Sequence, residues 1–205
     1  YDELGRLSGK SLHGSASNKL AYAYNIRNWI ESISSGGLFN ISLYYGYNGN
    51  VSRMVCRCPG DNKTYGYNFA YDNLSRLTSA QSLIGGVITL GYATNYSYDK
   101  NGNLLHLRRG GQTGLSGTGI IDNLSFTLNG NQLKAVNDDA TATASNGFEF
   151  KDGAKLATEY MYDANGSLIK DLNKGIEIQY NLLNLPVRSV SQMEVPSLIL
   201  MVRME

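Results

Sequence analysis

A tyrosine followed by aspartate or asparagine recurs along this chain, and no other feature limits its possible folds as much. The tyrosine stands at Tyr1, Tyr24, Tyr47, Tyr71, Tyr98, Tyr162 and Tyr180, with Leu128 taking the same place in LNGNQL. The intervals are 23, 23, 24, 27, 30, 34 and 18 residues. Spacing of this kind marks a repeat architecture, in which each unit is one supersecondary element that buries its apolar face only against its neighbours.

The units share an internal grammar. A second aromatic often stands two residues upstream, at Tyr22, Tyr45, Tyr96 and Tyr160, which puts the pair on one face of a strand. Four residues after the tyrosine come Gly5, Asn28, Ser75, Gly102, Gly166 or Asn184. Gly and Asn tolerate a left-handed backbone at little cost. An apolar residue then opens the next strand: Leu7, Ile30, Leu77, Leu104 or Leu168. Each unit reads as strand, turn, strand. Asn-Gly pairs at Asn48, Asn101, Asn129 and Asn165 support hairpins there, and another begins at Asn146.

Eight such units imply on the order of 16 strands. A lone hairpin is marginal in water, and an open twisted sheet of that width curls, closes or splits. The expected class is therefore all-β: tandem stacked antiparallel hairpins forming a curled or spiralling sheet. The array is expected over residues 1–190, with an insertion near 134–158 and a non-repeat tail at 191–205. Lys134 to Lys155 is small, polar and rich in turn residues, and reads as an exposed excursion between repeats. The array's two ends would be open edges, and Tyr1-Asp2 already lies inside a motif. Both features lead us to expect a longer parent polypeptide.

Composition agrees. The chain has 205 residues, 15 of them Tyr and 23 Gly, against 3 Pro, a balance suited to short strands joined by tight turns. No stretch keeps a helical apolar period. Ser79 to Leu90 comes nearest, and Gly85-Gly86 argues against a helix there. The net charge of +1 and the lack of basic runs give no reason to expect a nucleic-acid partner. The apolar run Leu198 to Val202 is too short to cross a bilayer, so no membrane insertion is expected.

The units YDELGRL, YNFAYDNLSRL, YSYDKNGNL, YMYDANGSL and IQYNLLNLP resemble the YD-repeat (Rhs-repeat) family, from Tyr1 to about Arg188. The resemblance implies a β-sheet that spirals into a hollow shell. It implies a non-enzymatic wall enclosing or displaying a C-terminal toxin domain of a secreted or cell-surface protein. It also implies partners: the remaining repeats, that toxin domain and, as a second candidate, cell-surface carbohydrate. The second function it implies is a carbohydrate-binding or adhesion module. Three departures qualify it. The sequence lacks the family's DPxG-type core motif and any toxin domain, and after Pro186 it does not continue the repeat. Self-cleavage is carried over to no residue.

No residue is assigned to catalysis, cofactor binding or metal binding, and no cofactor is expected. Asp2, Asp72, Asp99 and Asp163 could ligate a metal or a sugar. Asn25, Asn48, Asn129 and Asn181 stand in equivalent places, however, and Asn keeps the acceptor oxygen without the charge. The acids therefore read as turn acceptors, bonding backbone N–H groups just ahead. His13 and His106 have no partner at ligand spacing, and zinc needs three or four. Cys56 and Cys58 would share a strand face with Cα atoms about 6.6 Å apart, at the edge of disulfide geometry, and read as free or weakly oxidisable thiols. Gly36-Gly37, Gly85-Gly86 and Gly110-Gly111 read as turns or edge loops, because none sits in a phosphate-loop pattern. Glycosylation sequons begin at Asn40, Asn62, Asn73, Asn95 and Asn123. The tyrosines, and Trp29 after its turn, read as packing residues.

Overall fold

The computed structural model describes residues 1–14, 19–58, 60, 62–145 and 149–191. The Asn146-Gly147 pair and the tail beyond Ser191 lie outside them. The chain divides into two units, Tyr1–Asn95 and Tyr96–Glu205.

The first unit holds β1 (Gly9–Ser11), β2 (Lys19–Tyr24), β3 (Ile30–Ser35), β4 (Phe39–Tyr45), β5 (Val51–Arg57), β6 (Thr64–Tyr71) and β7 (Leu77–Ile84). A three-residue 3-10 turn, Leu12–Gly14, follows β1. Most of β8 (Val87–Tyr98) also belongs to this unit. Every strand neighbours the one before and the one after it in sequence. The second unit holds β9 (Leu104–Gln112), β10 (Thr118–Asn129) and β11 (Gln132–Asp138), again in chain order. A separate four-stranded sheet follows, of β12 (Tyr160–Tyr162), β13 (Leu168–Asp171), β14 (Ile176–Tyr180) and β15 (Pro186–Ser191). The protein is all-β and built from successive antiparallel hairpins. The chain order follows from the short connections, since only a neighbour in sequence can be reached by a tight turn.

The stretch from Ser79 to Leu90 is a hairpin. Ile84 pairs with Val87 across Gly85 and Gly86, whose φ values are 60° and 83°. Two successive positive φ values match the right-handed strand twist in a two-residue loop.

The hairpins carrying the motif share one irregularity. Their registers run Tyr24↔Ile30, Tyr45↔Val51, Tyr71↔Leu77, Tyr162↔Leu168 and Tyr180↔Pro186, and each shifts immediately beside the tyrosine. One residue of the returning strand is left unmatched: Glu31, Ser52, Thr78, Ile169 or Val187. A bulge of this kind increases local twist and re-aims the neighbouring side chain.

Two expectations are corrected. Lys134 to Lys155 is not simply an exposed excursion. Its first five residues complete β11, and Ala135 and Val136 are buried. The described residues between 139 and 158 contain no strand, but backbone bonds tie them down. Ser145 donates its N–H to the Gln112 carbonyl at 2.8 Å, and Asp139 to that of Asn123 at 3.2 Å. Gly110-Gly111 is no turn either. Both residues are buried within β9, and a Cβ on Gly111 would collide with the Ile121 side chain. Glycine is there to let two strands' contents fit, not to reverse the chain.

Candidate functional site

Six of the turns are built around one side-chain oxygen. Asp72 Oδ1 accepts the N–H of Leu74 and of Arg76, both at 2.9 Å. Asp99 Oδ1 does the same for Asn101 and Asn103 at 2.8 Å, and Asp163 Oδ1 for Asn165 and Ser167 at 2.9 Å. Asp2 Oδ1 takes Leu4 and Arg6 at 3.0 and 2.8 Å. The amide oxygens of Asn25 and Asn181 make the same pair of bonds. One neutral oxygen suffices, as the interchange of Asp and Asn suggested. The fourth residue after each tyrosine has positive φ: Gly5 75°, Asn28 63°, Ser75 62°, Gly102 90°, Gly166 84° and Asn184 56°.

A carboxylate adds its second oxygen. Arg6 Nε and Arg76 Nε donate to Asp2 and Asp72 Oδ2, each at 2.6 Å, and the Asn103 amide to Asp99 Oδ2 at 2.8 Å. The backbone N–H of Arg6 and of Arg76 is the chief group holding the Asp2 and Asp72 carboxyls below their ordinary 3.8, and the Asn103 amide leads at Asp99. Acceptance of hydrogen bonds favours the ionised form.

The third repeat is registered differently from the sequence expectation. Tyr45, not Tyr47, pairs across the turn with Val51. Gly46 takes the acid's place, with its N–H on the Asn50 carbonyl at 2.8 Å, and Gly49 has the positive φ of 90°. Tyr47 is 97% exposed. Asn48 is therefore not equivalent to the acids; its Oδ1 accepts only from Asn50, at 3.2 Å. The Asn129-Gly130 turn also differs. Leu128 does pair with Leu133 beside a register shift, but Asn129 pairs with Gln132, leaving a two-residue loop.

The tyrosines do more than pack. Tyr24 donates its hydroxyl to the Leu7 carbonyl at 3.0 Å, Tyr45 to Ile30 at 2.6 Å and Tyr71 to Val51 at 2.9 Å. Tyr162 donates to Leu133 and Tyr180 to Leu168, each at 2.9 Å. Ile30, Val51 and Leu168 open β3, β5 and β13, Leu133 is the second residue of β11 and Leu7 lies just before β1, so these five tyrosines each pin their hairpin to the repeat before it. Burial pushes the phenols of Tyr45, Tyr71 and Tyr162 above their ordinary 10.0, which keeps the donor proton in place. Adjacent turns are also bridged directly. Arg6 Nη1 donates to Asn28 Oδ1 at 2.8 Å, Arg27 Nη1 to the Tyr47 carbonyl at 2.9 Å, and the Asn103 amide to Asn131 Oδ1 at 3.0 Å.

Trp29 packs as expected, with its ring 5.0 Å from that of Tyr45 and against Gly49. Beside it lies a groove of about 470 Å³, lined among others by Arg27, Trp29, Glu31, Tyr44 and Tyr47. The Arg27 guanidinium sits 5.2 Å from the Trp29 ring centre.

The second unit holds polar groups that no sequence pattern singled out. Glu159 is 1% exposed, and its Oε2 accepts from Val136 N–H at 2.9 Å and the Asn173 amide at 2.7 Å. Its Oε1 takes Leu156 N–H at 3.2 Å. Asp122, also buried, accepts Phe150 N–H at 2.6 Å on one oxygen and the Arg109 guanidinium at 2.5 Å on the other. Both acids fasten residues 139–158 to the strands. His106 Nδ1 lies 3.2 Å from Ser125 Oγ, and His13 stands in the 3-10 turn of the other unit. Among the described residues, no three His, Cys, Asp or Glu side chains gather at metal-binding distance. The sequon asparagines Asn40, Asn62, Asn73, Asn95 and Asn123 are exposed, as is Asn165 of a further sequon, Asn165-Gly166-Ser167.

The whole arrangement has known counterparts. No family model matches the chain, and no curated protein does. Solved structures do. The crystal structure of TcdB2-TccC3-Cdc42 matches at TM-score 0.60 and 16% identity, over 93% of this chain and 11% of that one. The chain shares the fold of a part of that structure. The Photorhabdus luminescens Tc holotoxin pore carrying a mutated TccC3 matches at 0.54 and 14%, over 91% of this chain and 10% of that one. TcdB2-TccC3-TEV matches at 0.55 and 13%, over 92% and 11%. The chain thus spans about a tenth of the length of the chains it matches. At these identities the likeness is one of fold.

Proposed function

We propose that this chain is a non-enzymatic wall segment of a YD-repeat β-shell, one that encloses or displays a toxin domain of the same secreted or cell-surface polypeptide. The observation that carries this reading is the serial pin. Tyr24, Tyr45, Tyr71, Tyr162 and Tyr180 each spend a hydroxyl on a carbonyl of the repeat before, so the fold extends by addition rather than closing round a pocket. The likeness to toxin complexes supports it. Electron microscopy of the complete parent polypeptide tests it: a closed shell with density inside is the expected result, and an open array enclosing nothing would overturn it.

A second reading, carbohydrate binding, draws on the groove beside Trp29. Aromatic faces next to Glu31 and Arg27 suit the apolar face and hydroxyls of a sugar ring. A glycan array tests it, with saturable hits lost in Tyr47→Ala as the expected result. No saturable hit, or hits unchanged in that variant, would remove it.

A further inference from the structure

The Cys56-Arg57-Cys58 segment is used by neither reading, yet its geometry is specific. Cys56 lies inside β5, held on both sides: it pairs with Ile41 of β4 and with Tyr65 of β6. Cys58 lies one residue past the last rung, because Arg57 pairs with Asn40 and Thr64 and ends the ladder. The two sulfurs stand 3.7 Å apart, Cys56 half-buried and Cys58 exposed. In fully extended chain, residues two apart have Cα atoms at about 6.6 Å, near the upper limit of about 6.8 Å for a disulfide. Cys58 can shorten that span by turning, and no ladder bond opposes the turn. The sulfurs then need to close by about 1.7 Å to reach the bond length of about 2.05 Å.

We propose that Cys56 and Cys58 form a reversible redox site, at which a hydroperoxide converts the two thiols into an intrachain disulfide. The exposed Cys58 thiolate attacks the peroxide O–O bond, becoming a sulfenic acid and releasing water when the peroxide is hydrogen peroxide. The Cys56 thiol, losing its proton to solvent, then attacks the Cys58 sulfur. The S–O bond breaks, the S–S bond forms, and the hydroxide leaving group takes up a proton to leave as a second water. Two thiols and one peroxide thus give one disulfide and two waters. Burial pushes the Cys56 thiol above its ordinary 9.0, and Cys58 beside it adds to the shift, which leaves the first step to the exposed partner. Thiol reductants reverse the reaction by exchange. The cross-link would fasten the start of the connection from β5 to β6, already gathered by the bond from Arg57 Nη2 to Asn62 Oδ1 at 3.2 Å.

Trypsin makes the test direct, because Arg57 lies between the two cysteines. The full chain is treated with hydrogen peroxide, alkylated under denaturing conditions, digested and analysed by mass spectrometry. Peptides Met54–Arg57 and Cys58–Lys63 are expected as one disulfide-joined species, 2 Da lighter than the sum of the separate thiol peptides and released by dithiothreitol. In Cys56→Ser, dimedone should capture a sulfenic acid at Cys58. In Cys58→Ser, Cys56 should remain alkylatable at least several-fold longer than it does in the parent chain. Thiols that stay alkylatable in the parent chain, overoxidation without cross-linking, or disulfides only between chains would each overturn the proposal. So would equally fast loss of Cys56 in the Cys58→Ser variant.

Discussion

Residues 1–95 and the region around Glu159 are stabilised in opposite ways. Among the described residues of the first unit the buried apolar side chains are few, Ala80 and Leu83, and order comes from a small set of contacts used again and again. The turn oxygen, the positive-φ residue and the tyrosine pin recur at the Tyr24 and Tyr71 hairpins, and the Tyr45 hairpin keeps the last two with Gly46 in the acceptor's place, so no single instance is decisive. In the second unit, Glu159, Asp122 and Asn173 are buried, each is used once, and together they hold a segment with no strand of its own. Repetition tolerates loss, whereas a unique buried carboxylate does not. Substitutions at five positions separate the two modes.

Glu159→Ala should be the most damaging. It strands the buried donors of Val136 and Asn173 and releases the part-buried one of Leu156, and about 3 kcal/mol of stability should be lost, measured by urea unfolding. A loss no greater than that of a single pin would show that water replaces the carboxylate, and the contrast would collapse. Tyr71→Phe comes next. It removes one hydroxyl donor and leaves the ring, so about 1 kcal/mol is expected, with native-state hydrogen exchange faster in β5 and β6 than elsewhere. Tyr45→Phe should behave alike.

The turn oxygen is tested at Asp163, whose Oδ1 accepts the backbone N–H groups of Asn165 and Ser167. Asp163→Leu should cost about 1 kcal/mol, and Asp163→Asn less than about 0.5 kcal/mol. Equal losses would mean that the charge matters and the neutral acceptor is not enough. Tyr47→Ala should have the smallest effect, within about 0.5 kcal/mol, because the side chain is exposed. A larger loss there than in Tyr45→Phe would restore the register read from sequence.

Acid adds a further distinction. The folded-state carboxyl of Asp72 titrates below its ordinary 3.8, chiefly because it accepts the Arg76 N–H. The stability it contributes is therefore complete above about pH 4 and lost as pH falls through the lower folded value. The difference in melting temperature between the parent chain and Asp72→Asn should be constant from pH 5 to 7 and change below pH 4. A difference independent of pH would remove the ionised carboxylate from the account.

What the sequence could tell follows from range. The turn is local: Asp72 bonds residues two and four positions ahead, and Ser75 has to take a left-handed φ for the chain to reverse. Such short-range chemistry repeats with the motif, so the hairpins, the all-β class and the neutral role of the acids were legible. The tertiary structure alone decided the rest. Tyr71 reaches Val51, 20 residues back, and Tyr162 reaches Leu133, 29 back. Nothing in either tyrosine's neighbours in sequence names that carbonyl. The choice between Tyr45 and Tyr47 turned on which register lets Val51 pair and Gly46 close the loop, a property of two strands together. Glu159 looks like any surface acid in the sequence. Its burial comes from three donors brought from Val136, Leu156 and Asn173, and only folding assembles them.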